Sequence, residues 1–240
     1  MSQIFNSAAL VGSTGLVGSE ILNILLSHPS SPKTYALGRR ALPQTSQHLF
    51  PLISPETSTW TESLKSISPS PPIFFSGLGT TKAAAGSIAA QRAIDHDLNL
   101  DLARAAKESG VKVYVLISAA GVSASSSFPY PKMKGELEEE VKKLNFEHTI
   151  IVKPGLLLGD RQERRPAEAA SRAIANGLRA ISNGWLTNAW AQDATVVARS
   201  AVVAGEQCLE GERQKGVWIL GQGDIVKLGK PSTQHDQTQG

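Results

Sequence analysis

Cysteine is nearly missing: Cys208 is the single one in 240 residues. No intrachain disulfide can form, which fits a reducing compartment, and Cys208 is expected to be a small buried apolar residue. The five histidines show no metal-ligand spacing and have no cysteine pair to join, so no metal site is expected. Long apolar runs are missing too. Without a stretch of about eighteen apolar residues, an ordinary membrane-spanning helix is excluded. Met1 to Pro32 holds no Lys or Arg, and Glu20 is its one carboxylate, which argues against a cleaved arginine-rich presequence. Any membrane contact would be peripheral. A charge of one sign is also lacking: 24 Lys and Arg against 21 Asp and Glu leave a net charge of +3. The basic residues are scattered, so no nucleic-acid partner is expected.

What is present describes a folded globule, since 41% of the residues are apolar and 19% charged, too much and too little respectively for wholesale disorder. The length suits one domain, placed at residues 1–230, with the last ten residues, "PSTQHDQTQG" at 231–240, expected to be a disordered tail. Apolar runs with strand character recur at Ala8 to Val11, Thr34 to Leu37, Ile73 to Phe75, Val111 to Ile117 and Thr149 to Val152. Helical patterns stand between several of them. Nearly continuous apolar strands alternating with helices predict an α/β fold, a Rossmann-like doubly wound parallel sheet covered on both faces.

Leu16 to Leu26 is one such helix, stopped by His28-Pro29. Another buries Leu98, Leu102, Ala105 and Ala106 and closes at Gly110. The Ser-, Thr- and Pro-rich stretch from Ala41 to Pro72 predicts loops around a short third strand near Leu49 to Ile53 and a short helix. Pro166 to Ile181 is expected to be helical and Val217 to Leu220 a late strand. The "AEAASRAIANGLRAI" helix offers a face for a homodimer.

"AALVGSTGLVGSEIL" puts Gly12, Gly15 and Gly18 at the end of the first strand and the start of the first helix. This spacing meets the needs of a dinucleotide turn: a tight bend, backbone close to a pyrophosphate, and close helix-to-strand packing. Gly12, Ser13, Thr14, Gly15, Leu16, Val17 and Gly18 are therefore candidate cofactor residues, with unpaired N–H groups of the helix facing the phosphates. A P-loop is excluded, because Val17 occupies its second glycine position and no Gly-Lys-Ser/Thr follows. After the second strand an NAD-preferring fold normally carries an acid for the ribose 2′-hydroxyl. No carboxylate lies between Lys33 and Pro55. Instead "LGRR" offers Arg39 or Arg40 to a 2′-phosphate, which predicts NADP(H). In "FFSGLGTTKAAAG", Gly77, Leu78 and Gly79 would let backbone approach a ligand, and Thr80 and Thr81 could donate hydroxyls to it.

"FPYPKMKGELEEE" raises the question of chemistry, with Tyr130 and Lys134 four residues apart. Pro131 suits the first position of a helix, with Tyr130 at its cap. With Tyr130 at zero and about 100° per residue, Met133, Leu137, Val141 and Leu144 fall at roughly 300°, 340°, 20° and 320°. Lys134 lands near 40°, at the edge of that apolar stripe. Glu138 to Lys142 and Glu139 to Lys143 are expected as exposed i to i+4 pairs. When a hydride reaches a carbonyl carbon the oxygen needs a proton, and a phenol can supply it once its pKa is lowered from about 10. The Lys134 ammonium would lower the pKa of Tyr130 and hold the nicotinamide ribose. Ser118, closing the strand "VYVLIS", would orient the carbonyl of a small-molecule substrate.

The glycine spacing, Ser118, Tyr130-x-x-x-Lys134 and the Lys153-Pro154-Gly155 turn together resemble the atypical short-chain dehydrogenase/reductases. More narrowly, "GLGTTK", "PKMKGELEEEV" and "KPGLLLGDRQERRPAE" resemble the fungal mitochondrial outer-membrane proteins related to the human Tat-interacting oxidoreductase. The resemblance implies a Rossmann fold, NADPH, a contact of Pro154 and Gly155 with the nicotinamide, and peripheral attachment to the cytosolic side of the mitochondrial outer membrane. Three departures stand out, one being Pro131, which stiffens the residue after Tyr130 and could move the phenol out of reach. The asparagine that many of these reductases carry on the fourth helix is not evident, with Asp97 near its expected place, and Lys153 replaces the usual arginine before Pro-Gly. The run Asp160 to Pro166 is either a closure over the substrate mouth or a solvated loop with internal ion pairs.

Overall fold

The computed structural model describes residues 5–158 and 191–230. Strand-forming runs and helices alternate as β1 (Ser7–Val11), α1 (Leu16–Leu26), β2 (Lys33–Gly38), β3 (Leu49–Ile53), α2 (Trp60–Lys65) and β4 (Ile73–Ser76). Two short helices follow, α3 (Lys82–Ala85) and α4 (Ile88–Arg92), then a π-helical turn (Ala93–Leu98) that runs into α5 (Asn99–Glu108). Next come β5 (Val113–Ile117), α6 (Pro129–Lys143), β6 (His148–Val152) and β7 (Leu156–Leu158). Beyond the undescribed segment lie β8 (Ala191–Asp193), α7 (Ala194–Leu209), β9 (Gly216–Leu220) and α8 (Gln222–Gly229). The helix expected at Pro166 to Ile181, the dimer face it carries, the Asp160 to Pro166 run and the 231–240 tail lie outside the described residues.

Seven strands form one parallel sheet in the order β3-β2-β1-β4-β5-β6-β9. This is the Rossmann-like doubly wound arrangement: the order reverses between β1 and β4, and ligands of such sheets bind at the carboxyl ends of the strands beside that reversal. Each central strand is apolar throughout because both faces are covered. Ala8 and Leu10 face α1, α7 and α8, where Ile21, Leu22, Leu25, Val197, Ala201 and Ile225 complete one core. Ala9 and Val11 face α2, α5 and α6, where Trp60, Leu64, Leu102, Ala106, Leu137 and Val141 complete the other. α1 begins and ends where the apolar run does. The helix after the fourth strand is broken into α3 and α4, each capped by a hydroxyl: Thr81 accepts from the Ala84 N–H and Ser87 from the Ala90 N–H.

α6 differs from expectation at its start. Phe128 is the cap and Pro129 occupies the first helical position, so Tyr130 is already inside the first turn. Its closing residues pair differently as well. Lys142 bonds Glu139 at 2.8 Å and Lys143 bonds Glu140 at 2.7 Å, both three residues apart, while Glu138 is buried. A one-residue shift of the pairing follows from Glu138 turning to the sheet.

Candidate functional site

The loops after β1 and β4 meet at three glycines. Gly12 has φ +82°, and a Cβ there would stand 2.5 Å from the Gly77 carbonyl carbon, so only glycine fits. A Cβ on Gly18 would stand 2.1 Å from the Gly12 oxygen, and one on Gly77 would lie 3.3 Å from the Gly18 Cα. The first turn of α1 thus lies directly against both loops. The Gly15 N–H closes the turn onto the Gly12 carbonyl at 2.9 Å, and Gly15 caps α1 without a side chain. The N–H groups of Leu16, Val17 and Gly18 head the helix, with Ser13 buried below and Thr14 exposed above. Such a cradle, open at a helix N-terminus and too close-packed for any side chain, fits the pyrophosphate of a dinucleotide.

Arg39 and Arg40 follow β2 at the same carboxyl edge, both exposed. Among the described residues neither guanidinium is in an ion pair. Leu78, Gly79, Thr80 and Thr81 follow the third glycine of the junction, Gly77. The Thr80 backbone is held in place: its N–H donates to Asp95 Oδ1 at 2.6 Å and its carbonyl accepts from Gln91 at 3.3 Å.

Beside this cradle lies a buried charged cluster. Among the described residues the buried lysine is Lys134 and the buried carboxylates are Asp95 and Glu138, and all three stand here. Lys134 Nζ donates to the Ile117 carbonyl at 3.2 Å. Burial pushes its pKa down, opposed by the nearby charges of Asp95 and Glu138. Burial likewise pushes the Asp95 carboxyl up, against the Thr80 N–H bond and Lys134. Glu138 accepts from the Ser118 hydroxyl at 2.5 Å and from Lys153 Nζ at 2.9 Å. Ser118 is itself anchored, its N–H donating to the Val152 carbonyl at 2.8 Å. Pro154 and Gly155 follow Lys153, and the Pro154 carbonyl accepts from Ala120 at 2.8 Å, tying the loops after β5 and β6 together.

Of the three residues expected to act together, Ser118 and Lys134 lie beside one another in this cluster, with Lys153 and two carboxylates that sequence reasoning passed over. Glu138 lies one turn beyond Lys134 and Asp95 lies four residues before Asn99, on the inner side of the helix. Tyr130 lies one turn before Lys134, 41% exposed. α5 opens on an asparagine. Asn99, fully buried, accepts from Ser76 and donates to the carbonyls of Leu78 and Asp95, both at 3.2 Å. Asp97, the residue first considered there, is exposed and pairs with His96 at 2.8 Å. A π-helical turn of the kind found at functional sites delivers Asp95 and Asn99 to the same side. A cavity of about 860 Å³ lies at the opposite edge, by Asn6, Lys112 and His148, and takes no part in this cluster.

Comparison with known proteins agrees with the fold. Residues 50–182 match the family HIM1. The chain is 50% identical to "Protein fmp52-1, mitochondrial" of Aspergillus terreus over 93% of this chain and 99% of that protein. It is 45% identical to "Protein fmp-52, mitochondrial" of Neurospora crassa, covering 93% and 95% respectively. Among solved structures, the UDP-N-acetylglucosamine 4-epimerase of Methanobrevibacter ruminantium superposes with a TM-score of 0.66 at 15% identity, covering 90% of this chain and 76% of that one. MoeE5 in complex with UDP-glucose and NAD superposes with a TM-score of 0.63 at 17% identity, covering 93% and 80%. At such identities the likeness is one of fold.

Proposed function

The chain belongs to the HIM1 family and is a relative of the fungal Fmp52 proteins, and we propose that it is an NADPH-dependent oxidoreductase of the short-chain dehydrogenase/reductase type, acting on a small carbonyl compound. The observation that carries the reading is the junction of Gly12, Gly18 and Gly77 over the N-terminus of α1, with the Ser118–Lys134 cluster at the carboxyl edge of a nearby strand. NAD in complexes of structural neighbours such as MoeE5 supports a nicotinamide dinucleotide. Arg39 and Arg40, with no acid nearby in sequence, favour the 2′-phosphate form.

Bound NADPH would supply a hydride to the carbonyl carbon. The chain's own part is to hold that carbon and to manage one proton. Tyr130 would give the proton to the oxygen, and the Lys134 ammonium, one turn on, would favour its phenolate and hold the ribose of the bound nucleotide. Ser118 positions the substrate oxygen. A second reading, an NADPH-binding regulatory protein with little turnover, draws support from the exposure of Tyr130 and from the ammonium of Lys134 being bonded to Ile117 between two carboxylates.

The relatives' names carry "mitochondrial", and no described helix is long and apolar enough to cross a membrane. Peripheral attachment to the cytosolic face of the mitochondrial outer membrane, and kinship with the human Tat-interacting oxidoreductase, belong to this proposal, as does a homodimer.

Isothermal titration with NADPH and NADH, on the wild type and on Arg39→Ala plus Arg40→Ala, tests it. Tight NADPH binding that falls to the NADH level in the double variant is expected. Absence of binding by either nucleotide would overturn both readings. Loss of carbonyl reduction in Tyr130→Phe, with NADPH binding retained, separates the first reading from the second.

A further inference from the structure

Ser118 has one proton, and the structure directs it away from any ligand. A serine hydroxyl donates once and accepts twice. Here the donation goes to Glu138 Oε1 at 2.5 Å, between two side chains that are 7% and 4% exposed. Glu138 in turn has Lys153 on its other oxygen at 2.9 Å, and Lys134 interacts with it through space. The carboxylate is thus surrounded by donors, and each oxygen has one. Were Ser118 to swing its proton toward a substrate carbonyl, Oε1 would lose its donor inside the protein, and an orphaned buried acceptor is more costly than an ordinary hydrogen bond is favourable.

The backbone gives this arrangement little freedom. The Ser118 N–H is bonded to Val152. α6, which carries Glu138, lies so close to the loop before it that a Cβ on Gly135 would stand 2.2 Å from the Ser123 carbonyl carbon. Tyr130, Lys134 and Glu138 are successive turns of one helix face, so the spacing that sets the proposed acid also sets Glu138.

We infer that Glu138 is a positioning residue that fixes the hydrogen-bond polarity of Ser118, so that Ser118 meets the substrate as an acceptor and the form it holds is the hydroxyl of the alcohol, not the carbonyl. This rests on the oxidoreductase reading above, and it names the member of the substrate couple that the resting site prefers. A carbonyl oxygen would face the lone pairs of Ser118; an alcohol at the same place donates its proton to them. Glutamine at position 138 removes the restriction, because its amide can donate to Ser118 and release the serine proton for a carbonyl.

The test uses matched ligands that cannot react with NADP+: cyclohexanone with 1-methylcyclohexanol, and acetophenone with 2-phenyl-2-propanol. Their dissociation constants are measured by NMR titration of the NADP+-loaded full chain. In the wild type the alcohol of each pair is expected to bind about tenfold tighter, the scale of one hydrogen bond kept against one lost. Glu138→Gln levels or inverts that ratio. Ser118→Ala abolishes the preference and Ser118→Thr, which keeps the hydroxyl, restores it; this pair carries the test should Glu138→Gln fold poorly. A purely structural role for Glu138 would weaken both ligands alike and leave the ratio alone, which overturns the inference. So does a wild-type preference for the ketones, or a loaded protein that binds no pair. Failure to bind NADP+ at the outset is a different result and removes the oxidoreductase reading itself.

Discussion

Replacing Asp95 by Asn and Lys134 by Met together asks whether this buried pair is kept for stability or for a ligand. Asparagine keeps an oxygen for the Thr80 N–H, and methionine keeps the length of the lysine stem. The pKa of Asp95 is raised and that of Lys134 lowered, burial being the largest cause in each, so both charges cost the folded state more than their surroundings return. Asp95 and Lys134 interact through space rather than as a direct ion pair; exchanging buried opposite charges for neutral residues of similar volume is commonly neutral or stabilising by about 1–4 kcal/mol. The Ile117 carbonyl loses its donor, worth about 1 kcal/mol, which leaves an expected gain of roughly 0–3 kcal/mol for the double variant. At about 2–4 °C per kcal/mol for a chain of this size, Tm rises by up to about 10 °C. Each single variant removes one charge that offsets the other's burial, with Glu138 still beside Lys134 in Asp95→Asn, so the double-mutant cycle should show a favourable coupling of about 1–3 kcal/mol.

The pH profile follows from the same shifts. A raised Asp95 stabilises the fold below its unfolded value of 3.8 and loses that contribution as pH rises through its folded pKa. A lowered Lys134 burdens the fold until pH rises through its folded pKa toward 10.5, where the unfolded chain still holds the proton and stability climbs. The advantage of the double variant over the wild type is therefore greatest between the two folded pKa values and shrinks on either side. Urea denaturation across that range measures it. A double variant that is less stable by more than about 1 kcal/mol at neutral pH, with no pH-dependent gain, would refute the reasoning.

Gly18→Ala should lower stability by about 1–3 kcal/mol and abolish NADPH binding, because its Cβ would press on the Gly12 oxygen at 2.1 Å and push α1 off the loop; denaturation and isothermal titration read the two effects. Cys208 has a thiol pushed up to about 11 by burial, so an aromatic disulfide reagent should modify it slowly in the native protein and rapidly in urea. Fast native modification would contradict its placement.

The centre of the sheet was legible in the sequence because its central strands are buried on both faces and therefore stand out as nearly continuous apolar runs. Leu49–Ile53 and Leu16–Leu26 fall where composition and breakers put them. The glycine junction was legible for a related reason: close backbone approach leaves glycine as its trace. The charged cluster was only half legible. Lys134 drew attention as a charge on an apolar stripe, yet Glu138, on the same stripe one turn later, was hidden among consecutive glutamates that mostly do face solvent. Asp95 and Asn99 share the inner face of Leu102 and Ala106, but the π-helical turn shifts the helical phase just before Asn99. Asn99 nevertheless stands three residues before Leu102, at a helical spacing that leaves Asp97 on another face.

The distribution of buried charge bears on why the chain keeps it. Elsewhere among the described residues the lysines and acids lie at least partly in solvent, as in the pairs Lys65–Glu108 and Lys215–Glu147, which contribute little to stability. Asp95, Lys134 and Glu138 are buried instead, at the carboxyl edge of a parallel sheet, against the loop that completes the glycine cradle. Two of them carry pKa shifts of a sign that costs stability at neutral pH. A cluster whose burial is costly, gathered where such sheets take their ligands, fits a role in binding one. The same reasoning limits what Lys134 can do for Tyr130: an ammonium already shared by Ile117 and two carboxylates has less field to offer a phenol one turn away. The chemistry of the site accordingly depends on how far a bound nucleotide redistributes that charge.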